Sequence, residues 1–499
     1  MKIRIIAVMA AALLLIGAPS GMAAGTDHSQ FIKGPFKSGE EVTKVCLQCH
    51  EKQAEDFMKT SHYKWKGAPR SVKGMENSKD EYGKANLLNN FCTDVEGGSR
   101  AFCVKCHAGY GWVENAKLPA EKSKVDCLIC HAKEGNYKKG LGGEVDKDLF
   151  ARGKINLEKA AQSVSLPNRD NCGVCHFFGG GGDAVKHGDM DSSLSKPGKE
   201  HDVHMGGPTD MTCQACHTVK EHSISGASLF LATNDGRVSC EDCHRDPHKD
   251  STAHKVLARH QKTVACQTCH IPAFAKAQAT KMSWDWSTVG KDIEDIKEEF
   301  GKETYAKHKG DFTWGMNVTP TYAWYNGKME RYLKGEKIKD PRKVLYLSKP
   351  VGDIKDPDAK IYPFKVHTGK QPMDSQYKYL SIFQNFGGLW SHYNWEKALT
   401  DGARTSGLPY SGKHEFIPTA FYGSINHEIA PKEKALKCGD CHFGINKRLD
   451  WKTLGYTGDP MRVGSRFSAK DEAKGDTRAS EERTRDENGK SGRKRISRS

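Results

Sequence analysis

Eight copies of one pentapeptide, Cys-x-x-Cys-His, constrain what this 499-residue chain can fold into. Each copy places two thiols on one side of a helical turn, with an imidazole directly behind them. This spacing is typical of a covalently attached c-type haem, in which both sulfurs bind the vinyl groups and the His binds iron. The sequence therefore predicts eight haems c. The attachment residues are Cys46, Cys49, Cys103, Cys106, Cys127, Cys130, Cys172, Cys175, Cys213, Cys216, Cys240, Cys243, Cys266, Cys269, Cys438 and Cys441.

For any single copy, a zinc site or a redox-active Cys-x-x-Cys pair is the alternative. Zinc binds its ligands in sets of four and does not need a His directly after the second Cys. Of the 17 cysteines, only Cys92 lies outside the motifs. The repetition therefore favours haem, with proximal iron ligands His50, His107, His131, His176, His217, His244, His270 and His442.

Distal ligands are predicted from the other histidines, because a haem that only transfers electrons normally has both axial positions filled. Seven lie within or beside the haem-dense segments: His62, His187, His204, His222, His248, His260 and His427. His201 is an alternative to His204, and His254 to His248 or His260. A structural or surface role is predicted for His28, His308, His367, His392 and His414.

The N-terminus indicates export. Lys2 and Arg4 precede an apolar run from Ile5 to Ile16, and small residues follow at 21–23, as in a cleaved signal peptide over residues 1–23. This run is too short to span a bilayer, so the mature chain is predicted to be periplasmic and without a membrane span. The net charge of +15 does not predict a nucleic-acid partner, because the propionates of eight haems offset most of it.

The motifs divide the chain unevenly. Seven lie between residues 46 and 270, which predicts a haem-array domain over 24–275. Residues 276–464 carry seven tryptophans and the eighth motif, and are predicted to form a mixed, aromatic-rich lobe with a helix over 292–308. The predicted fold is mainly α with extensive irregular structure around the packed haems. The basic tail 465–499 is predicted to be disordered.

Four short segments carry a resemblance to a known family: LNNFCTD around Cys92, GGGGDAVKHGD after the fourth motif, DVHM at Asp202, and NHEIAPKEKALKCGDCH around the eighth motif. With the ordered set of eight motifs, they resemble the octahaem tetrathionate reductase family of c-type cytochromes. The resemblance covers most of residues 30–460.

This resemblance implies an active site at the second haem, with His107 proximal and the amine of Lys186 as distal ligand. Asp183, Asn89 and Cys92 are implied to surround it. A lysine amine must be neutral to bind iron, so its pKa has to be lowered by burial and by the metal. A haem with such a displaceable ligand is the place where a small molecule can reach the metal.

The implied reaction is reduction of tetrathionate to thiosulfate, with electrons supplied by a donor cytochrome or a quinol-linked donor. Cys92 is either a buried inert thiol or, as a thiolate, the nucleophile that attacks a sulfur–sulfur bond. Two other functions stay open. One is a dedicated enzyme for nitrite or hydroxylamine, and the other is a non-catalytic octahaem electron carrier.

Overall fold

The computed structural model describes residues 27–92, 99–112, 117–133, 135–226, 236, 238–298, 300–443 and 448–466. The predicted signal peptide, and the predicted tail beyond Arg466, lie outside these residues. Within the described ranges, no helix is both long and apolar enough to cross a membrane.

Every motif lies on a helix or a single helical turn, which is the geometry that brings its two cysteines to one side. Motifs two and five use 3₁₀ turns at Val104–Cys106 and Cys213–Ala215. The α-helices are α1 (Gly39–Met58), α2 (Ser61–Lys64), α3 (Arg100–Cys103), α4 (Leu128–His131), α5 (Lys147–Ala151), α6 (Leu157–Gln162), α7 (Arg169–His176), α8 (Cys240–Cys243), α9 (His254–Thr263), α10 (Cys266–His270), α11 (Trp390–His392), α12 (Trp395–Ser406), α13 (Cys438–His442) and α14 (Pro460–Val463).

The strands are β1 (Val219–Lys220), β2 (Ser223–Ile224), β3 (Thr280–Asp285), β4 (Tyr305–Ala306), β5 (Gly310–Gly315), β6 (Thr321–Tyr325), β7 (Met329–Arg331), β8 (Leu345–Pro350), β9 (Lys360–Asp374) and β10 (His414–Ser424). Eight of them form a mixed sheet in the order β4-β5-β3-β9-β10-β8-β7, with β6 also paired to β9. The long strand β9 is its centre, parallel to β3 and antiparallel to β10 and β6. Residues two apart on β9, such as Lys365 and His367, point to the same face.

The helix predicted over 292–308 is wrong. The described part of this segment is loop followed by β4. Ile293 and Ile296 are about half exposed, so the segment has no apolar face to bury against a core. Gly301 has a left-handed φ of +68°, and the Thr304 amide donates to the Ile296 carbonyl across the turn. A tight turn therefore replaces the helix.

One core cluster decides where the candidate site lies. Leu88, Phe91 and Val185 pack in the same buried cluster as the sheet residues Leu347 and Ile417. The segment around Cys92 and the glycine-rich loop around Lys186 are far apart in sequence, yet both pack against the sheet. Burial of these apolar side chains holds the two segments together.

Candidate haem ligands and candidate active site

Seven of the eight motif histidines face the ring of a second histidine. Two imidazoles that bind one metal from opposite sides, each at about 2 Å, have ring centroids about 6 Å apart. The structure has this separation in seven pairs: His28–His50 at 6.2 Å, His62–His176 at 6.1 Å, His131–His222 at 6.4 Å, His204–His244 at 6.0 Å, His217–His427 at 6.3 Å, His248–His270 at 6.3 Å and His260–His442 at 6.0 Å. These spacings fit a bis-His haem at each of the seven motifs.

The hydrogen bonds of the motif rings fit the same arrangement. Nδ1 of His131 and of His217 lies 2.9 Å from a backbone carbonyl oxygen, and Nδ1 of His442 lies 2.7 Å from Asp459 Oδ1. A ring that donates through Nδ1 keeps the lone pair on Nε2, the nitrogen through which such a ring binds a metal. These contacts orient the rings as metal ligands.

Six of the seven histidines predicted as distal ligands belong to these pairs. The seventh, His187, does not face a motif ring in any of them. His28, for which a structural or surface role was predicted, faces His50. His28 lies upstream of the first motif, and no signal in the local sequence shows that its side chain reaches the far side of His50.

The two open alternatives among the distal ligands are separated by contacts. His204 faces His244, whereas His201 lies 3.0 Å from the buried carboxylate of Glu428. His254 places Nδ1 3.1 Å from the His248 carbonyl, while the rings of His248 and His260 face motif histidines.

The second motif differs from the other seven. Among the described residues, the rings packed against His107 are those of Tyr63, Trp65 and Trp112, at 5.2, 5.4 and 4.7 Å, and none is a histidine. Burial and the nearby Lys139 lower the pKa of His107 to about 4, which keeps the imidazole neutral. Its Nε2 lies 2.7 Å from the Tyr63 carbonyl, so iron binding through this nitrogen requires that contact to open.

A buried ion pair holds the backbone behind His107. The Lys139 ammonium donates to the carbonyls of His107 and Gly109 at 2.6 and 2.7 Å, and lies 3.2 Å from Asp126 Oδ2. Lys139 and Asp126 are both almost fully buried. The ammonium therefore fixes the chain directly after the second motif.

Lys186 lies near the second motif. Its loop follows α7, and Cys175 of that helix places Sγ 3.5 Å from the Cys106 carbonyl. Burial lowers the pKa of Lys186 well below its usual value, and the positive charges of Lys84 and Arg331 lower it further. The local environment thus favours the neutral amine, which is the form that binds a metal.

Asn89 and Cys92 are held in one turn that faces the sheet. Asn89 Oδ1 accepts hydrogen bonds from the Phe91 and Cys92 amides at 3.0 and 2.9 Å. The Cys92 sulfur accepts from Asn385 Nδ2 at 2.8 Å. An amide donor on the sulfur favours the thiolate over the thiol. Because Asn89 Oδ1 accepts hydrogen bonds inside the turn, Asn89 positions Cys92 in this structure.

Asp183 is engaged away from this turn. Its carboxylate accepts from the Ser192 amide and hydroxyl at 3.0 and 2.5 Å, and from Gln278 Nε2 at 2.8 Å. These bonds anchor the start of the Lys186 loop, so Asp183 supports the loop in this structure.

Sequence reasoning missed two cations of the site, Lys84 and Arg331. The Lys84 ammonium lies 5.3 Å from the centroid of Trp65, the same indole that packs against His107. Arg331, at the end of β7, is buried and donates to the Leu88 carbonyl at 3.2 Å, and burial lowers its pKa to about 9. No motif marks either residue, because each reaches the site through the tertiary fold.

Two family models match parts of the chain. The model for cytochrome c554 and c-prime matches residues 45–132, which include the first three motifs. The model for bacterial cytochrome c matches residues 281–444, which include most of the sheet and the eighth motif. Together with the paired imidazoles, these matches define a c-type cytochrome with covalently bound haem.

A solved structure gives the closer assignment. The octahaem cytochrome c from Shewanella oneidensis is 45% identical to this chain, with a TM-score of 0.79, and the match covers 87% of this chain and 98% of that one. An uncharacterized protein of Archaeoglobus fulgidus is 27% identical over 251 residues, 42% of this chain and 84% of that one. The chain belongs to the octahaem c-type cytochromes.

This result confirms the predicted family at the level of the octahaem c-type cytochrome, and with it a redox function. The count of eight haems agrees with the octahaem relative and with the eight motifs. The predicted export, the domain boundaries and the individual axial ligands stay predictions.

Proposed function

We propose that this cytochrome is a reductase whose substrate reacts at the second motif, with tetrathionate as the substrate. The observation that carries the proposal is the difference between motifs. Seven motif histidines face a second imidazole, whereas the described surroundings of His107 are aromatic, with the Lys186 amine nearby. Seven closed ligand pairs suit electron transfer, and a lysine ligand on a flexible stem suits exchange for a substrate.

Charge favours an anion at this site. The positive charges of Lys84 and Arg331 both lower the pKa of Lys186. Lys84 packs on Trp65, which contacts His107, and Arg331 donates to the Leu88 carbonyl just before the Cys92 turn. Cationic groups in a partly dehydrated site stabilise an oxyanion more than they do in water. Tetrathionate, with a sulfonate at each end and a sulfur–sulfur bond between, matches these cations and the Cys92 sulfur.

The proposed chemistry at Cys92 balances in two steps. The thiolate attacks a central sulfur of tetrathionate, which forms a Cys92–sulfur bond, breaks the central sulfur–sulfur bond and releases one thiosulfate. Two electrons then break the Cys92–sulfur bond, restore the thiolate and release the second thiosulfate. The haems c, when bound, supply these electrons. Asn385 stabilises the sulfur anion before attack and after release.

Steady-state kinetics test the proposal. The haem-loaded protein, given a reduced viologen as donor, is expected to reduce tetrathionate with a higher kcat/KM than nitrite or hydroxylamine. Cys92→Ala is expected to lower kcat for tetrathionate at least 100-fold and to leave nitrite reduction within twofold. Cys92→Ser, which is nearly isosteric, controls for packing and is expected to behave as Cys92→Ala.

Three outcomes contradict parts of the proposal. Unchanged turnover in Cys92→Ala removes the nucleophile and leaves reaction at the iron. A higher kcat/KM for nitrite or hydroxylamine assigns the site to nitrogen chemistry, which the same cations also accommodate. Absence of turnover with all three, and of any spectral change on adding cyanide, identifies an electron carrier.

A further inference from the structure

Lys365 is a buried lysine that the proposed chemistry does not use. It lies on the central strand β9, is 2% exposed, and its ammonium meets three oxygen acceptors. These are the carbonyls of Val185 at 2.9 Å and Lys186 at 3.2 Å, and the Thr280 hydroxyl at 2.6 Å. An ammonium has three N–H donors, so the whole donor capacity of Lys365 is used here.

Thr280 extends this contact to the neighbouring peptides. Its hydroxyl donates to the Ala184 carbonyl at 2.6 Å and lies 3.2 Å from the His187 carbonyl. Because Lys365 donates to the hydroxyl oxygen, the hydroxyl hydrogen remains for the loop. Lys365 and Thr280 together contact the four consecutive carbonyls of residues 184–187.

The loop needs such support because its backbone is not held by regular structure. Ala184 has a left-handed φ of +62°, which costs a non-glycine residue energy. Gly180 and Gly181 also have positive φ, and their flexibility makes the loop costly to order. Four carbonyls fixed from the sheet side offset part of that cost.

Lys365 also touches the other half of the candidate site. Its ammonium lies 5.7 Å from the ring centroid of Phe91, which packs in the same core cluster as Val185 and lies next to Cys92 in sequence. The lysine therefore sits between the Cys92 turn and the Lys186 loop. Burial lowers the pKa of Lys365 well below its usual value, whereas the charge of Asp189, further along the loop, and the three oxygen acceptors around the nitrogen favour the charged form.

We propose that Lys365, with Thr280, is a positioning residue that fixes the Lys186 loop so that the amine is held beside the second motif. The inference rests on the proposed role of Lys186 as a ligand at that motif. Lys365 is not proposed to contact substrate, and it acts through the backbone of residues 184–187.

The test compares Lys365→Met with Lys281→Met in the haem-loaded protein. Lys281 on β3 is the matched control: it is also buried, and its ammonium packs on aromatic rings, 3.8 Å from the centroids of Trp284 and Phe312. Hydrogen exchange of peptides covering residues 179–190 is expected to quicken at least tenfold in Lys365→Met and less than threefold in Lys281→Met. The EPR signal of the second haem is expected to change only in Lys365→Met.

Thr280 supplies a milder variant in case Lys365→Met does not fold. Thr280→Val removes the hydroxyl at constant shape and is expected to quicken exchange of the same peptides about fivefold, while Thr280→Ser restores the wild-type rate. Loop exchange equal in Lys365→Met and Lys281→Met overturns the proposal. So does faster exchange with an unchanged EPR signal, provided that Lys186→Met alters that signal. If Lys186→Met leaves the signal unchanged, the ligand role proposed above fails, and the exchange rates still decide whether Lys365 holds the loop.

Discussion

Lys139 shows how one buried charge ties the second motif to the rest of the fold. Its ammonium donates hydrogen bonds to the buried carbonyls of His107 and Gly109, and Asp126 supplies the opposite charge. Asp126 also accepts from the Tyr137 hydroxyl at 2.9 Å and the Ile129 amide at 3.1 Å, so hydrogen bonds hold the carboxylate in its buried position. Removing only the cation leaves this negative charge uncompensated.

Lys139→Met is therefore expected to destabilise the haem-loaded protein by about 3–5 kcal/mol, as when one partner of a buried ion pair is lost. The denaturant midpoint, followed through haem absorbance, measures this change. Lys138→Met is the matched control, since Lys138 is the exposed neighbour of Lys139, and a change below about 0.5 kcal/mol is expected. Equal midpoints for the two variants would show that the pair contributes no net stability.

Among the elements, α7 joins three parts of the candidate site. It carries the fourth motif, precedes the Lys186 loop, and contacts the second motif through Cys175. A capping box starts it: Asn168 accepts from the Asn171 amide, and Asn171 accepts from the Asn168 amide. The Asn171 amide group also donates to the Ala132 carbonyl at 2.9 Å, next to the third motif.

Asn168→Ala is expected to weaken the start of α7 by about 1 kcal/mol, the usual effect of losing such a cap. Hydrogen exchange of the α7 amides measures it, with an expected increase of about fivefold. Asn171→Ala is expected to have a larger effect, because it also removes the bond to Ala132. Asn168→Ser keeps a capping oxygen and serves as the control, and exchange as fast as in Asn168→Ala would assign the effect to packing.

The elements differ in how far sequence predicted them. The motif helices follow from the required spacing of two cysteines and a histidine, which is local. The sequence predicted a mainly α fold with a mixed lobe and no eight-stranded sheet, because β9 carries buried Lys365 and His367, polar residues that are unusual in a central strand. Similarly, the residue pattern over 292–308 predicted a helix where Gly301 and a backbone hydrogen bond make a turn.

The site residues also divide into those that a local sequence signal predicts and those that only the tertiary fold places. The motifs and the resemblance indicated Lys186, Asn89, Cys92 and Asp183 by short sequence segments. Lys84, Arg331 and Lys365 carry no such mark, since the fold alone places them near the loop or the Cys92 turn. His28, which faces His50, was missed for the same reason: the tertiary fold, and no local motif, decides which histidine lies opposite a motif histidine.

At the scale of the whole molecule, contacts between motifs define an order that differs from the sequence. The first motif touches the third through Cys46 and Cys127, and the third touches the fourth through Asn171. The fourth then contacts the fifth through Cys172 and Cys213. Cys216 of the fifth lies close enough to Cys243 of the sixth for their charges to interact, and Cys240 and Cys266 join the sixth and seventh. Leu436, just before the eighth motif, donates to the Cys269 carbonyl.

The second motif stands outside this row. Sγ of Cys175, in the fourth motif, lies 3.5 Å from the Cys106 carbonyl, and the Asp126 amide, beside the third motif, donates to the Ala108 carbonyl beside the second. The contact made by a motif cysteine favours the fourth motif as the electron donor to the second, with the third motif as the alternative. The ring pair at the fourth motif is His62 and His176, and the pair at the eighth is His260 and His442.

His62→Met and His260→Met test this order, because exchanging an axial His for Met raises the potential of an iron and makes it retain its electron. With fully reduced protein mixed with tetrathionate, His62→Met is expected to slow reoxidation of the other haems at least tenfold, since the retained electron sits at the motif whose cysteine contacts the second motif. His260→Met makes the same chemical change at the end of the row and is expected to delay one haem in eight. Equal slowing in both variants, or none in His62→Met, would place the junction at a different motif.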